Sequence, residues 1–238
     1  MSRVVAVIPT YNEAENLRLL VPLVLEQDPR IEVLVVDDAS PDGTGQIADE
    51  LASETQRVHV LHRARKEGLG VAYRAGLRHA LDLGADFVIQ MDADFSHPPQ
   101  TLPTLLAEIE DHDVVLGSRY LNGITVVNWP IERILVSYFG NWYVRFVTRL
   151  PISDATGGLR CVRRALLERI GFERIRSNGY AFQIELNYRF VKYQARIKEI
   201  PFFFLDRTRG VSKLTFRIGL EALWVAWWLR IADWFGRL

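Results

Sequence analysis

The sequence predicts an α/β protein built on an open, mostly parallel sheet with helices on both faces. Three observations carry this. Short runs rich in Val and Ile recur at 4–8, 31–36, 58–61, 87–90 and 114–116, and continuous apolar runs of this kind fit strands buried on both faces. Amphipathic stretches lie between them, at roughly 15–26, 44–55, 69–83 and 99–110. The unusual polar residues gather where the strand runs end, in loops 9–13, 37–44, 63–68 and 91–98. Open α/β sheets bind their ligands at that end.

Taken in order, the first run leads into PTYNE, where Asn12 with Glu15 three residues on reads as a capping box for the first helix. The second ends in VVDDASPDGTG, whose Pro41-Asp42-Gly43 is turn chemistry. The third precedes a basic loop and Gly68-Leu69-Gly70, which lets a helix start close to a ligand or another loop. That is not a dinucleotide fingerprint, because its third glycine position is Tyr73. The fourth ends in QMDADFSHPP. Beyond the fifth, residues 129–149 are apolar and aromatic with Arg interspersed. SDATGGLRC (153–161) reads as a Gly-containing turn, 180–193 as a helix, 198–205 as a strand and DRTRGVSKL (206–214) as a basic loop. The C-terminal stretch reads as a Trp-rich helix. Trp224, Trp227, Trp228, Ile231, Trp234 and Phe235 form one stripe at helical spacing, with Arg230, Asp233 and Arg237 opposite. We divide the chain into a domain at 1–214 and a C-terminal amphipathic helix at 215–238, which suits either a membrane headgroup region or docking on its own domain.

Composition narrows the class. The 238 residues carry 29 Lys+Arg and 29 Asp+Glu, but the neutral sum hides two unlike halves. Residues 1–118 hold 9 basic and 20 acidic side chains, a net of −11, and residues 119–238 hold 20 and 9, a net of +11. An acidic half suits a cation site and a basic half an anionic partner, although opposite halves also attract simply by packing. One cysteine, Cys161, excludes an internal disulfide, and five scattered His exclude a zinc finger. There is no secretory signal pattern and no uncharged apolar run of the ~18–20 residues that a membrane-spanning helix needs. No P-loop and no G-x-S-x-G elbow occurs. A cytoplasmic chain that touches a membrane peripherally is expected, with no nucleic-acid partner.

Four constellations carry chemistry. Asp92-Ala93-Asp94 follows a strand; one carboxylate can ligate a hard divalent cation shared with substrate phosphates while the other orients a sugar hydroxyl, and Ser96 or His97 can add a ligand. Asp37 and Asp38 end the second strand, where an acidic residue accepts hydrogen bonds from a base or ribose. Tyr11 can stack on a base, and Glu13 can accept from a ribose or complement the first helix dipole. Arg119, Arg133, Arg207, Arg209 and Lys213 form a cationic set, with Arg133 and Ser137 on one helical face as a grip for a second phosphate.

The order VVAVIPTYNEAENL, VVDDASPDGTG, Gly-Leu-Gly after a basic loop, and QMDADFSHPP resembles the inverting family 2 glycosyltransferases of GT-A fold. GSRY, SDATGGLRC, SNGYAFQIEL and FLDRTRGVSKL look like the dolichol- or polyprenol-phosphate mannose synthases among them. The resemblance covers about 4–214 and implies that Pro9, Tyr11, Glu13, Val36 and Asp38 line a guanosine pocket. It implies that Asp92, Ala93 and Asp94 form the metal and sugar-nucleotide centre, with magnesium or manganese on Asp92, Asp94 and Ser96. Ser96 departs from relatives that carry Gln there, and Ser is the weaker ligand. The family assigns Arg119 a place between donor and acceptor phosphates, and Asp94 and Arg119 are the expected catalytic pair. The resemblance likewise implies that Arg207 and Lys213 hold the donor diphosphate, and Arg133 and Ser137 the lipid phosphate. The implied reaction moves mannose from GDP-mannose to a polyprenyl monophosphate with inversion, at the cytoplasmic face of a membrane. The alternatives are another sugar from a UDP or GDP donor, or a glycan hydroxyl acceptor served by Asp154 as base.

Overall fold

The computed structural model describes residues 2–206 and 216–236, with side chains over 2–206 and 223–236. Its elements run β1 (Val4–Thr10), α1 (Ala14–Leu25), β2 (Ile31–Asp37), α2 (Thr44–Glu54), β3 (Val58–His62), α3 (Leu69–Asp82), β4 (Phe87–Gln90), α4 (Leu102–Glu108) and β5 (Val114–Ser118). The second half contributes β6 (Val126–Val127), α5 (Ile131–Thr148), β7 (Arg160–Arg163), α6 (Arg164–Ile170), α7 (Gly179–Lys192), β8 (Ile197–Pro201), β9 (Phe204–Leu205) and α8 (Phe216–Trp234). Among the described residues seven strands form one sheet in the order β3-β2-β1-β4-β7-β5-β8, and β6 and β9 pair apart from it. All neighbours in the large sheet are parallel except β7, which runs antiparallel to both β4 and β5.

Strand alternation explains why both faces are covered. In β1, Val5 and Val7 point into one core with Tyr73, Leu77 and Phe182, while Val4, Ala6 and Ile8 point into another with Leu17, Leu20 and Leu105. All five are fully buried, which is why the run reads as continuously apolar. The chain leaves β1 toward β2 and β3, then returns to place β4 on the other side of β1. Loops that leave adjacent strands in opposite directions part between β1 and β4, and the crevice so formed is where the polar loops meet.

Local expectations fail where a distant partner decides. The capping box does not form: Asn12 takes a left-handed backbone (φ 59°) and Glu13 sits at the N-cap without a side-chain cap. The start of α1 is instead tied to the loop after β2, the Glu13 N–H donating to Thr44 Oγ1 at 2.9 Å and the Ala14 N–H to Asp42 Oδ2 at 3.2 Å. The segment read as a turn through 161 contains the start of β7. Arg160 masks that strand; it is fully buried, and burial pushes its pKa down to about 10. The single strand expected over 198–205 is two, β8 and β9, in different sheets.

The last helix packs on α5 and α7. Val225, Ala226, Leu229 and Ala232 are buried, and Asp233 accepts from Tyr188 Oη at 2.9 Å and pairs with Lys192 at 2.6 Å. Of the expected stripe, Trp228 is half-buried against the core, whereas Trp224, Trp227, Ile231, Trp234 and Phe235 are exposed. Among the described residues no helix is long and apolar enough to cross a membrane.

Close approach of α3 to the sheet depends on Gly76, where an added Cβ would stand 2.5 Å from Val7 Cγ1 and 2.9 Å from Val36 Cγ2. Gly76→Ala gains helix propensity of ~1 kcal/mol but overpacks the core at a cost of about 1–3 kcal/mol. The urea midpoint is expected to fall, with an unchanged m-value.

Candidate active site

The cleft lies at the carboxyl end of the sheet, and the strand-end loops supply most of its wall. From β1 come Pro9, Thr10, Tyr11 and Glu13, from β2 Asp38, and from β4 Asp92, Ala93, Asp94, Ser96 and His97. The second half adds Arg119, Trp129, Arg133, Thr156, Tyr180, Gln183 and Phe204. Most predicted site residues therefore meet in one place. Val36 does not line it: its side chain is fully buried beneath α3. Arg207, Arg209 and Lys213 lie outside the described residues.

The adjacent aspartates after β2 separate in role. Asp37 accepts from the Ser40 N–H and hydroxyl and so closes the turn. Asp38 faces the cleft. Burial raises its pKa, and the Arg63 guanidinium paired with it opposes that rise. Lys66 Nζ stands 3.6 Å from the centre of the Tyr11 ring, forming a cation–π lid at the same end of the cleft.

The loop after β4 is built from its own polar groups. Phe95 takes a left-handed backbone (φ 61°), and the Ser96 N–H returns to Asp94 Oδ1 at 3.1 Å. The Asp92 N–H donates to His97 Nδ1 at 3.0 Å, which requires that nitrogen to be unprotonated. Burial agrees, pulling the His97 pKa down against the pull of Asp92 and Asp94. Tyr73 Oη donates to Asp92 Oδ1 at 3.2 Å from below. Burial, and then Asp92, hold the Tyr73 pKa well above its ordinary value, so the phenol remains a donor.

Among the described residues no three His, Cys, Asp or Glu side chains are grouped to enclose a metal. The two carboxylates Asp92 and Asp94 nevertheless fit a hard cation that completes its shell with substrate phosphates and water. Ser96 Oγ is buried with no protein partner, as are Trp129 Nε1 and Gln183 Oε1. Orphaned polar atoms lining a cleft are what a bound ligand or ion would satisfy.

Arg119 is the best-anchored cation of the site. It is 5% exposed, and its Nε and Nη2 donate to Asp154 Oδ2 and Oδ1 at 2.7 and 2.8 Å. Nη2 also reaches Thr156 Oγ1 at 2.7 Å, and the Arg119 N–H donates to Asp154 Oδ2 at 3.1 Å. Burial works to lower the Arg119 pKa, but the Asp154 charge and hydrogen bonds outweigh it, so the guanidinium stays charged. Asp154 is correspondingly held below the usual carboxylate range. A carboxylate so engaged is a poor base, which removes the candidate base for a hydroxyl acceptor. Arg133 lies 4.0 Å from the centre of the Trp129 ring and pairs with Asp206 at 2.8 Å. Ser137, one turn along α5, is outside the cleft wall, and its hydroxyl is 2.7 Å from Tyr120 Oη. Sequence reasoning did not single out Trp129, Tyr180, Gln183 or Phe204. Tyr180, Gln183 and Phe204 lie in stretches that carry the family resemblance, which was the signal available for them, whereas Trp129 carried none beyond its aromatic ring.

The family described as Glycosyl transferase family 2 matches residues 5–171. An undecaprenyl-phosphate mannosyltransferase from Micrococcus luteus is 45% identical over 235 residues, covering 98% of this chain and 97% of the relative. A polyprenol monophosphomannose synthase from Mycolicibacterium smegmatis is 44% identical over 234 residues, covering 98% and 86%. Among solved structures, glucosyl-3-phosphoglycerate synthase from Mycobacterium tuberculosis, in complex with Mn2+, UDP and glucosyl-3-phosphoglycerate, gives a TM-score of 0.69 at 18% identity, covering 99% of this chain and 80% of that one. A mannosyltransferase from Pyrobaculum calidifontis in complex with GDP-Man and Mn2+ gives 0.58 at 20% identity, covering 99% and 72%. These two likenesses are of fold.

Because the Asp154 pKa is depressed in the fold, its contribution to stability is complete above the unfolded value of about 3.9 and is lost as pH falls below that value through the folded one. Asp154→Asn leaves a buried guanidinium without its counter-charge and is expected to cost about 3–5 kcal/mol at pH 7. Urea midpoints measured from pH 7 to 3 should fall less steeply in the variant than in the wild type at the acid end.

Proposed function

The chain belongs to glycosyl transferase family 2, and from that premise we propose that its cleft transfers mannose from GDP-mannose to a polyprenyl monophosphate with inversion. The observation that carries the reading is the convergence, in one cleft, of Asp92 and Asp94 with the anchored Arg119 and with Arg133. That arrangement suits two anionic substrates held against their mutual repulsion. The near-full-length likeness to two enzymes named for mannose and polyprenyl phosphate supports the choice of donor sugar and acceptor.

The nucleoside sits toward Pro9, Tyr11, Glu13 and Asp38, with Asp38 accepting from the base or ribose. Asp92 and Asp94, with Ser96 beside them, would hold a divalent cation, magnesium or manganese, which would supply positive charge to offset that of the departing diphosphate. An acceptor phosphate oxygen attacks the anomeric carbon from the face opposite the diphosphate. The new carbon–oxygen bond forms as the bond to the GDP oxygen breaks, and the electron pair leaves with GDP. A phosphate monoester has its second pKa near 6, so it is mostly dianionic at pH 7 and needs no general base. This fits a site in which Asp154 is committed to Arg119. Arg119, already oriented and charged, stabilises phosphate charge without reorganising. Arg133 grips the acceptor phosphate in exchange for Asp206, with Ser137 one turn along α5 from it. Arg207 and Lys213 complete the hold on the donor diphosphate.

The lipid acceptor asks for membrane contact, and we assign residues 215–238 to it together with α5. The exposed Val136, Phe139, Trp142 and Phe146 of α5 and Trp224, Trp227 and Trp234 of α8 lie on helices that pack on each other. An apolar and aromatic surface of that kind suits the headgroup region of a cytoplasmic leaflet.

Two experiments test this reading. Labelled mannose should pass from GDP-mannose into solvent-extractable lipid only with a polyprenyl phosphate and a divalent cation present. Asp94→Ala should lower the rate by about a hundredfold or more. Transfer from UDP-glucose alone, or undiminished activity in Asp94→Ala, would overturn the donor or the metal assignment respectively. In vesicle flotation, Trp224→Gln with Trp234→Gln should weaken binding at least about tenfold while Tm holds. Equal flotation would remove α8 from the membrane surface.

A further inference from the structure

Two helix N-termini meet at one wall of the cleft. α3 begins at Leu69 and α7 at Gly179, and both residues line it. One side chain serves both ends. Asn178 Oδ1 accepts from the Gly70 N–H at 2.8 Å and from the Gly179 N–H at 2.9 Å, and Nδ2 donates to the Glu67 carbonyl at 2.8 Å. A capping side chain normally satisfies one helix; this amide caps its own and a second whose Gly70 lies 108 residues away, and pins the preceding loop as well.

The fit tolerates no bulk. Gly68 has φ +104°, and a Cβ built on it would fall 2.2 Å from Asn178 Nδ2. Asn178 is braced from behind by buried charge. Ser177 donates its N–H and hydroxyl to Glu185 Oε2 at 3.2 and 2.6 Å, and Arg189 pairs with Glu185 Oε1 at 3.0 Å. In front, the Glu67 carboxylate accepts from Arg63 Nη2 at 2.8 Å, and Arg63 also pairs with Asp38. Lys66, between Arg63 and Glu67 in the chain, lies over the Tyr11 ring.

We propose that Asn178 is the positioning residue for the donor nucleotide: by locking the 63–68 loop to the N-termini of α3 and α7, it sets the Asp38–Arg63 pair and the Lys66–Tyr11 lid at the depth the nucleotide requires. The proposal rests on the nucleotide-sugar reading above. It gives the SNGY segment, far along the chain from every nucleotide motif, a role on the donor side rather than the acceptor side.

Two variants of the full chain separate positioning from stability. Asn178→Ala removes both caps and the loop contact. Asn178→Asp keeps an acceptor for both N–H groups, and its charge suits two helix N-termini, but it has no donor for the Glu67 carbonyl. GDP affinity in the presence of Mn2+, donor and acceptor KM, and Tm are measured for each. The Ala variant is expected to bind GDP about tenfold more weakly, with donor KM raised to match and acceptor KM unchanged. The Asp variant should recover Tm while GDP affinity stays about tenfold down. GDP affinity that recovers together with Tm, or equal rises in both KM values, would show a merely structural cap and overturn the proposal. If Asn178→Ala fails to fold, Asn178→Asp alone decides. Wild-type chain that binds neither GDP nor UDP overturns the functional reading itself, a result distinct from either.

Discussion

The buried pair of Arg119 and Asp154 is the constraint on which the second half of the cleft depends. Arg119 follows β5, Asp154 precedes β7, and both Ser153 and Asp154 donate backbone N–H groups to Glu199 on β8. The ion pair and these backbone hydrogen bonds thus tie together three segments beside the second-half wall of the cleft. Its geometry is bidentate, and the remaining carboxylate capacity is filled by Thr156 and the Arg119 backbone. Such completeness is what offsets the several kcal/mol needed to desolvate each ion. The pair contributes position more than stability: it delivers a permanent positive charge to a fixed point in the cleft.

The opposite side of the cleft solves the opposite problem. Asp38, Asp92 and Asp94 are carboxylates gathered in one cleft, and each is restrained by a neighbour rather than left in solvent. Asp38 has Arg63, Asp92 has Tyr73, and Asp94 is closed back on the Ser96 N–H. The neutral total of the chain therefore resolves into a small number of paired charges around the site and a majority outside it. The −11 and +11 of the two halves are made up largely of charges away from the cleft, including surface pairs such as Arg18–Glu50 and Arg164–Glu168, which contribute little.

Legibility in the sequence followed the range of the interaction. β1, β2 and β4 were readable because burial on both faces leaves an unbroken apolar run, and the loops after them were readable because ligands bind at strand ends. β7 was not, since two of its four residues are Arg, and Arg160 is buried whole. The start of α1 was misread because Asp42 and Thr44 reach it from another loop. Asp37 and Asp38 look equivalent in sequence, yet strand alternation and one serine separate them. Val36 could not be placed from its position alone, because a residue at the mouth of a strand can still turn its side chain into the core. Asp154, which holds Arg119 across 35 residues, carries no spacing signal at all.

The lone antiparallel strand bears on how the protein comes to be folded. β7 sits between β4 and β5, so the two parallel blocks of the sheet have no hydrogen-bonded edge in common until residues 160–163 arrive. During synthesis the β3-β2-β1-β4 block, with its three crossover helices, is complete in sequence well before that point. The β4 edge stays open until β7 closes it. Such an edge is a hazard for mispairing in a slowly emerging, non-local sheet. The first four strands are thus assembled as a local unit, β5 is joined to them only when β7 arrives, and β8 follows later still.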